Sequence, residues 1–438
     1  MADECLFRAS RMRARRSFSF TSSPIVLTAV SAVNYDDLRP LIAVGITSSV
    51  LLAQHFGCSK RWINQLKREA SPAGAPALAH LLLPRPGDAQ LLQWVQDEVH
   101  RLGHAYGTKM MVGALMASHP GYHFGRPSVD AALALLFPAA RAARCYVSQR
   151  RILRGDYHAP NFMHSCHLDL ACKLQEYSVY VAAMIDGDSR MCLSLVALDN
   201  KLPVNLYQHV FLPFAQRWGG LPDQVVTDHG KEFVLIGFVC LLIQQLSASH
   251  RHSRRKAHKT VRSTSNIRVE KFNAEINLRV LVPVRFLLNH LESNNLLDKD
   301  DYRHIGAFSR LITPLMQTGL DRLAAAWNEH YVASKRGRPG TGGRPSVRMS
   351  QRPHPGPQMQ LPAGFDGPGY WNMAGQPPLR MVPEQAPARD RLHGNLPAQI
   401  ARATAVAALI GSYVSAWDEI LVGNYHRFTG VYLAWLAH

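Results

Sequence analysis

Three carboxylates sit in local settings that suit the handling of a divalent cation. Asp169 falls inside the run SCHLDLAC. Strand alternation puts Ser165, His167 and Asp169 on one face of that run and Cys166, Leu168 and Leu170 on the other. A carboxylate in the middle of an apolar strand is expensive to bury unless it is paired or bound to a cation. Asp228 ends the short apolar run QVVTD, just before His229 and Gly230. In open α/β sheets, ligands gather beyond the C-terminal ends of the parallel strands. Glu270 sits on a helical segment in which Val269, Phe272, Ile276 and Val280 keep the inward spacing. On the same segment Asn266, Glu270, Asn273 and Asn277 form a second, polar stripe. Taken singly, each acid has an ordinary reading as a turn or a solvated side chain. Their order along the chain is what sets them apart: mid-strand Asp, strand-end Asp, helix Glu. Carboxylate oxygens suit hard cations such as Mg2+. Two such ions about 3.5–4 Å apart can serve the attacking and leaving oxygens of phosphoryl transfer.

The surrounding elements must bring these acids together. SCHLDLAC, YSVYVAAMID and RMCLSLVAL are three successive β-like runs with short polar connections, and Asp186, Gly187 and Asp188 make a tight hairpin turn. A helix is expected over residues 204–218, then the strand ending at Asp228, then an apolar helix from Phe233 to Leu246. Three antiparallel strands followed by helix, strand and helix predict a mixed α/β sheet. A basic loop, HRHSRRKAHKTVR, separates this part from the Glu270 helix, and helices continue through Tyr331.

Four blocks, HLDLACKL, DGDSR, VVTDHGKEF and SNIRVEKFNAEIN, resemble in order the motifs of retroviral-type integrase catalytic cores. The form is most similar to the integrase core-domain proteins of eukaryotic genomes. There a strand carries H-x-D-x-x-x-K-L, matched here by His167, Asp169, Lys173 and Leu174. A hairpin carries D-G-x-S-R, matched by Asp186, Gly187, Ser189 and Arg190. A strand ends in D-x-G-x-E, matched by Asp228, Gly230 and Glu232, and a helix opens with N-x-R-x-E, matched by Asn266, Arg268 and Glu270. Trp327 and Asn328 fit the W-N that follows such cores. The resemblance spans about residues 45–350 and is sharpest over 150–335. It implies a ribonuclease-H-like mixed sheet flanked by helices and preceded by small all-α helix-turn-helix units. It also implies metal-dependent DNA strand transfer by a mobile-element integrase. On the same ground Asp169 bridges two Mg2+ or Mn2+ ions, Asp228 and Glu270 hold one each, and Asp186 is a turn residue. The sequence departs from the family in three places. The interval from Asp228 to Glu270 is long, Lys271-Phe272 stands where relatives usually have Arg and Trp, and no His-His-Cys-Cys zinc motif precedes the core.

The bulk composition agrees with a polyanionic partner. The 438 residues include 49 Lys and Arg against 31 Asp and Glu, a formal charge of +18, which favours DNA. Arg254, Arg255, Lys256, Lys259 and Lys271 are candidates for gripping phosphates, a sequence-independent and salt-sensitive contribution. Upstream, LLAQHFGCSKRWINQLKRE reads as two short helices around Gly57, with Ser59 as a cap and Lys60 and Arg61 on the second helix. The seven cysteines show no C-x2-C pair, which argues against a disulfide framework or a Cys-rich zinc module. An intracellular protein, with the nucleus as its site, is the expectation, and no apolar run is long enough for a membrane span.

The organisation expected is a disordered basic N-terminus over 1–44, a helix-turn-helix-like region over 45–138 and a linker over 139–156. The catalytic core then takes 157–335, a Pro/Gly-rich linker 336–397, and a helical piece without a functional reading 398–438. Integrases act as multimers, so the resemblance also implies a homo-oligomer. Two functions follow from it: an active integrase, or a domesticated or decayed nucleic-acid-binding protein that keeps the fold without turnover. A plain nuclease on the same fold is a weaker third.

Overall fold

The computed structural model describes residues 83–141, 159–250, 252–262, 266–332, 342–379 and 396–437. The chain divides into two compact units, Met1–Ser71 and Pro72–His438, and every described residue belongs to the second. The helix-turn-helix candidate around Lys60 and Arg61 therefore lies outside the described residues, as do residues 142–156 of the expected linker.

Three helices come first: α1 (Asp88–Leu102), α2 (Thr108–Ser118) and α3 (Arg126–Leu136). A five-stranded sheet follows, made of β1 (Cys166–Leu174), β2 (Val179–Asp186), β3 (Cys192–Leu198), β4 (Val225–Thr227) and β5 (His258–Thr260). Its order is β3-β2-β1-β4-β5. The first three strands pair antiparallel, and β1–β4 and β4–β5 pair parallel. Between β3 and β4 the chain is helical through α4 (Pro203–Leu206), a π turn (Tyr207–Phe211) and α5 (Leu212–Trp218). Helix α6 (Val234–Leu246) leads from β4 to β5. After β5 come α7 (Ile267–Ile276), a second π turn (Asn277–Leu281), α8 (Val282–Ser293) and the long α9 (Tyr302–Glu329).

The sheet separates two cores, as strand alternation requires. Val181, Ala183 and Ile185 of β2 face one core together with Val269, Phe272 and Ile276 of α7 and the apolar side of α9. Tyr180, Ala182 and Met184 face the other, with Leu168 and Leu170 of β1 and the α4–α6 helices. His167 and Asp169, alternate with Leu168 and Leu170, thus stand on the α7 side of the central strand. The inward spacing read for the Glu270 helix holds, since Val269, Phe272, Ile276 and Val280 are all fully buried.

Two readings of the sequence need correction. The basic segment reads from its sequence as a loop, yet His258–Thr260 forms the fifth strand. Three residues with two exposed side chains leave no apolar period to read. The second concerns the supposed Pro/Gly-rich linker. Its described part, residues 342–379, folds onto the core through α10 (Pro345–Gln351) and α11 (Gly367–Met373). Met359, Phe365 and Trp371 are buried there against the α4–α6 side. Leu221 N donates to Met359 O at 2.7 Å, and the Tyr207 hydroxyl donates to Phe365 O at 2.9 Å. A few large apolar anchors spaced along Pro-rich chain bury enough surface to hold it without regular periodicity.

The last helices, α12 (Leu396–Ile410), α13 (Tyr413–Leu421) and α14 (His426–Ala437), join the same core as α9. Helix α2 meets α9 at Gly113, where an added Cβ would lie 2.2 Å from Ala326 O. Helix α13 meets α9 at Gly319, whose added Cβ would enter the Trp417 ring.

Candidate active site

The parallel pairing of β1 with β4 sets His167 beside Val226. Carrying that register two residues further brings Asp169 level with Asp228, and partners in a parallel pair share a face. Asp228 stands where β4 stops, at the C-terminal end of a parallel strand, and is partly exposed. Its Oδ1 accepts from Gly230 N at 2.9 Å, an Asx turn that fixes the exit of the strand.

Glu270 lies in the first turn of α7 and is exposed. The helix is held against β1 on both sides of it. Asn266 Oδ1 lies 2.6 Å from His167 Nδ1, and Asn266 Nδ2 donates to Leu168 O at 3.3 Å. Asn273 Nδ2 donates to Asp169 Oδ2 at 2.7 Å. Two members of the polar stripe read from the sequence, Asn266 and Asn273, therefore lie in the seam between α7 and β1. Asn277, at its far end, accepts instead from Arg285 Nη2 at 2.6 Å.

The electrostatics converge on Asp169, which is 7% exposed. Burial pushes its carboxyl up from 3.8 to about 7, and the charges of Glu270 and Asp228 add to the rise while the bonds from Leu170 N and Asn273 oppose it. Burial also pushes His167 down from 6.5 to about 4, so a neutral ring faces Asn266. A buried acid raised by two like charges is a group from which a divalent cation readily displaces the proton. The donor set is all carboxylate oxygen, which matches a hard cation. Among the described residues, however, no three His, Cys, Asp or Glu side chains stand close enough to hold a metal ion as they are placed. The charges of Glu270 and Asp228 both reach Asp169, which puts the three acids in one electrostatic neighbourhood.

Asp186, in the conspicuous D-G-D-S-R hairpin, takes no part in this region. It is fully buried and accepts from Met163 N at 2.8 Å, Ser189 N at 2.6 Å and Ser189 Oγ at 2.7 Å. Its neighbour Asp188 binds the C-terminal segment through Arg348 at 2.6 Å and Arg352 at 3.1 Å. The W-N pair clamps the same hairpin: Trp327 Nε1 donates to Arg190 O at 2.7 Å, and Asn328 Oδ1 accepts from Cys192 N at 2.8 Å. The Trp327 ring also packs 4.7 Å from Phe272 of the Glu270 helix.

The candidate phosphate contacts divide. Arg254, Lys256, Lys259 and Lys271 have exposed side chains. Arg255 is half-buried, its Nη2 bonded to Ser165 Oγ and to Gln224 Oε1 and its Nη1 to the His164 ring, so it ties the basic segment to the sheet. Gln244 completes that tie, donating to Arg255 O at 2.7 Å and accepting from Ala257 N at 2.9 Å. The pinning role of Gln224 and Gln244 leaves no mark in the sequence, because isolated glutamines carry no pattern.

A mixed sheet in the order β3-β2-β1-β4-β5, with an acid in its central strand, defines a ribonuclease-H-like domain. Residues 157–341 match the family described as integrase core domain. No curated protein matches it. Among the described residues no helix is long and apolar enough to cross a membrane.

Proposed function

We propose that the chain carries out metal-dependent DNA strand transfer, with Asp169, Asp228 and Glu270 as the acids that would hold two Mg2+ or Mn2+ ions. The observation that supports this most is the buried Asp169, whose acidity is shifted by burial and by the charges of both other acids. When bound, the ions would activate the attacking oxygen and stabilise the leaving one. The chain's own residues do the rest. Asp169 sits on a rigid central strand, Asp228 at a strand end fixed by an Asx turn, and Glu270 on a helix bonded to β1 before and after it. Rigid elements hold reacting groups more closely than loops do. In the reaction proposed, water first attacks a phosphodiester near a DNA end and breaks its bond to the 3′ oxygen. The freed 3′-hydroxyl then attacks a phosphodiester of target DNA, joining the strands and releasing one target 3′ oxygen.

DNA would be gripped by Arg254, Lys256, Lys259 and Lys271, with Arg255 holding the basic segment in place, and by Lys60 and Arg61 of the upstream helix-turn-helix candidate. Each phosphate contact removed reduces the slope of log affinity against log salt by about 1. Lys259→Ala and Lys256→Ala are each expected to flatten that slope by this amount, measured by fluorescence anisotropy across a salt series. A homo-oligomer acting in the nucleus completes this reading.

A second reading is favoured by the departures in the Glu270 block: a nucleic-acid-binding protein derived from an integrase that has lost turnover. Cleavage of a labelled DNA end in Mn2+ separates the two. Glu270→Gln is expected to abolish cleavage while DNA binding and the melting temperature are kept. Cleavage by the variant at the wild-type rate would refute the assignment, and DNA binding without cleavage by either protein would favour the second reading.

A further inference from the structure

We infer that Asn266 and Asn273 form a two-point clasp that sets the Glu270 helix in register with the strand carrying Asp169, which makes both asparagines positioning residues of the site. The inference deepens the three-carboxylate reading and rests on it.

Three observations carry it. First, Asn266 occupies the N-cap position of α7, where an asparagine ordinarily bonds the backbone N–H groups of its own helix. Its side chain makes no such bond. It is fully buried and spends its hydrogen bonds across the seam, on His167 and on Leu168 O. Helix capping has been given up for attachment to β1. Second, Asn273 donates to Asp169 while its own Oδ1 is buried without a partner. Leaving that acceptor unmet is costly. The opposite orientation of the amide would set a carbonyl oxygen against the carboxylate, so only the observed one serves Asp169. Third, Asn266 and Asn273 lie seven residues apart, about two helical turns, with Glu270 between them on the same face. Bonds at both ends leave the segment carrying Glu270 little freedom to slide or rotate along β1. His167 belongs to the clasp as the partner of Asn266, and this gives the H-x-D and N-x-R-x-E blocks a physical link.

The test uses the full-length wild type, Asn273→Ala at its half-buried position, and Asn266→Ser. Serine restores a good helix cap but is too short to reach β1, so it separates capping from clasping. Amide hydrogen exchange across residues 266–277 reports the clasp directly, and calorimetric titration with MnCl2 reports its effect on the acids. Exchange in the helix is expected to rise about 10-fold, and the Mn2+ dissociation constant to rise about 10-fold or more, in both variants. Unchanged exchange in both variants would overturn the clasp. Faster exchange with unchanged Mn2+ affinity would overturn the positioning role and leave the asparagines as structural ties. Absence of Mn2+ binding by the wild type would overturn the three-carboxylate reading and the positioning role together, while the exchange data still showed whether the clasp itself exists.

Discussion

At the residue scale the decisive group is Asp169, buried on the central strand. Its folded pKa, about 7, lies above the ordinary 3.8. Between those values the folded chain binds more protons than the unfolded one, so this residue makes stability fall as pH rises from about 4 to about 7. Above pH 7 the full cost is present. Asp169→Asn removes the charge and keeps the shape. In metal-free buffer it is expected to be more stable than wild type at pH 7.5 by about 2–4 kcal/mol, and close to wild type at pH 4. Urea midpoints at the two pH values check this, and equal stability at pH 7.5 would mean that the buried acid carries no penalty. The placement of the three acids, Asp169 within a strand, Asp228 at a strand end and Glu270 on a helix, is legible in the sequence because each has a distinct local setting. The bond from Asn273 was only half readable. The polar stripe marked a face, but a stripe at helical spacing is more often solvated than sealed against a strand. Arg255 illustrates the opposite case. It is one of several arginines and lysines in a basic run, and nothing in that run tells which will turn inward.

At the element scale, the first four strands and the main helices are legible from period and turn chemistry, and a mixed sheet follows from three antiparallel strands and then helix, strand and helix. What failed was short or aperiodic. Strand β5 is three residues long and mostly exposed, and it exists because β4 offers a free edge and Gln224 and Gln244 hold the incoming chain. The close contacts between helices were not visible either, since a glycine within a helix reads first as a weak point. At Gly113 the missing side chain lets α2 approach α9 to backbone distance. Gly113→Ala should therefore push the two helices apart and cost about 1–3 kcal/mol, in spite of alanine's better helix propensity. Chemical denaturation would register this as a lower midpoint, and an unchanged or higher midpoint would mean that the helices do not meet so closely.

At the scale of the molecule, the region that matches the integrase core domain is enlarged from both sides. Helices α1–α3 and α12–α14 build onto α9, and residues 342–379 cover the α4–α6 side. The latter segment is fastened by the buried pair of Asp188 with Arg348. Removing one partner of a buried ion pair costs about 3–5 kcal/mol because the other charge is left uncompensated. Asp188→Ala is expected to loosen residues 345–352, read as faster hydrogen exchange and earlier proteolysis there, while the distant α2–α9 contact keeps its protection. Uniform loosening of the whole unit would show instead that the segment is inseparable from the core. Composition hid this arrangement. Proline and glycine content marks a chain that lacks period, not one that lacks anchors, and Met359, Phe365 and Trp371 suffice.

The most direct test of the central claim is joining of a labelled oligonucleotide to a supercoiled plasmid in Mn2+, with wild type and Asp228→Asn side by side. Label appearing in the plasmid with wild type alone is the predicted result, since Asp228 stands level with Asp169 across β1 and β4 and would hold one of the ions. Equal joining by Asp228→Asn, or plasmid binding by wild type with no joining across a panel of candidate element ends, would contradict the claim.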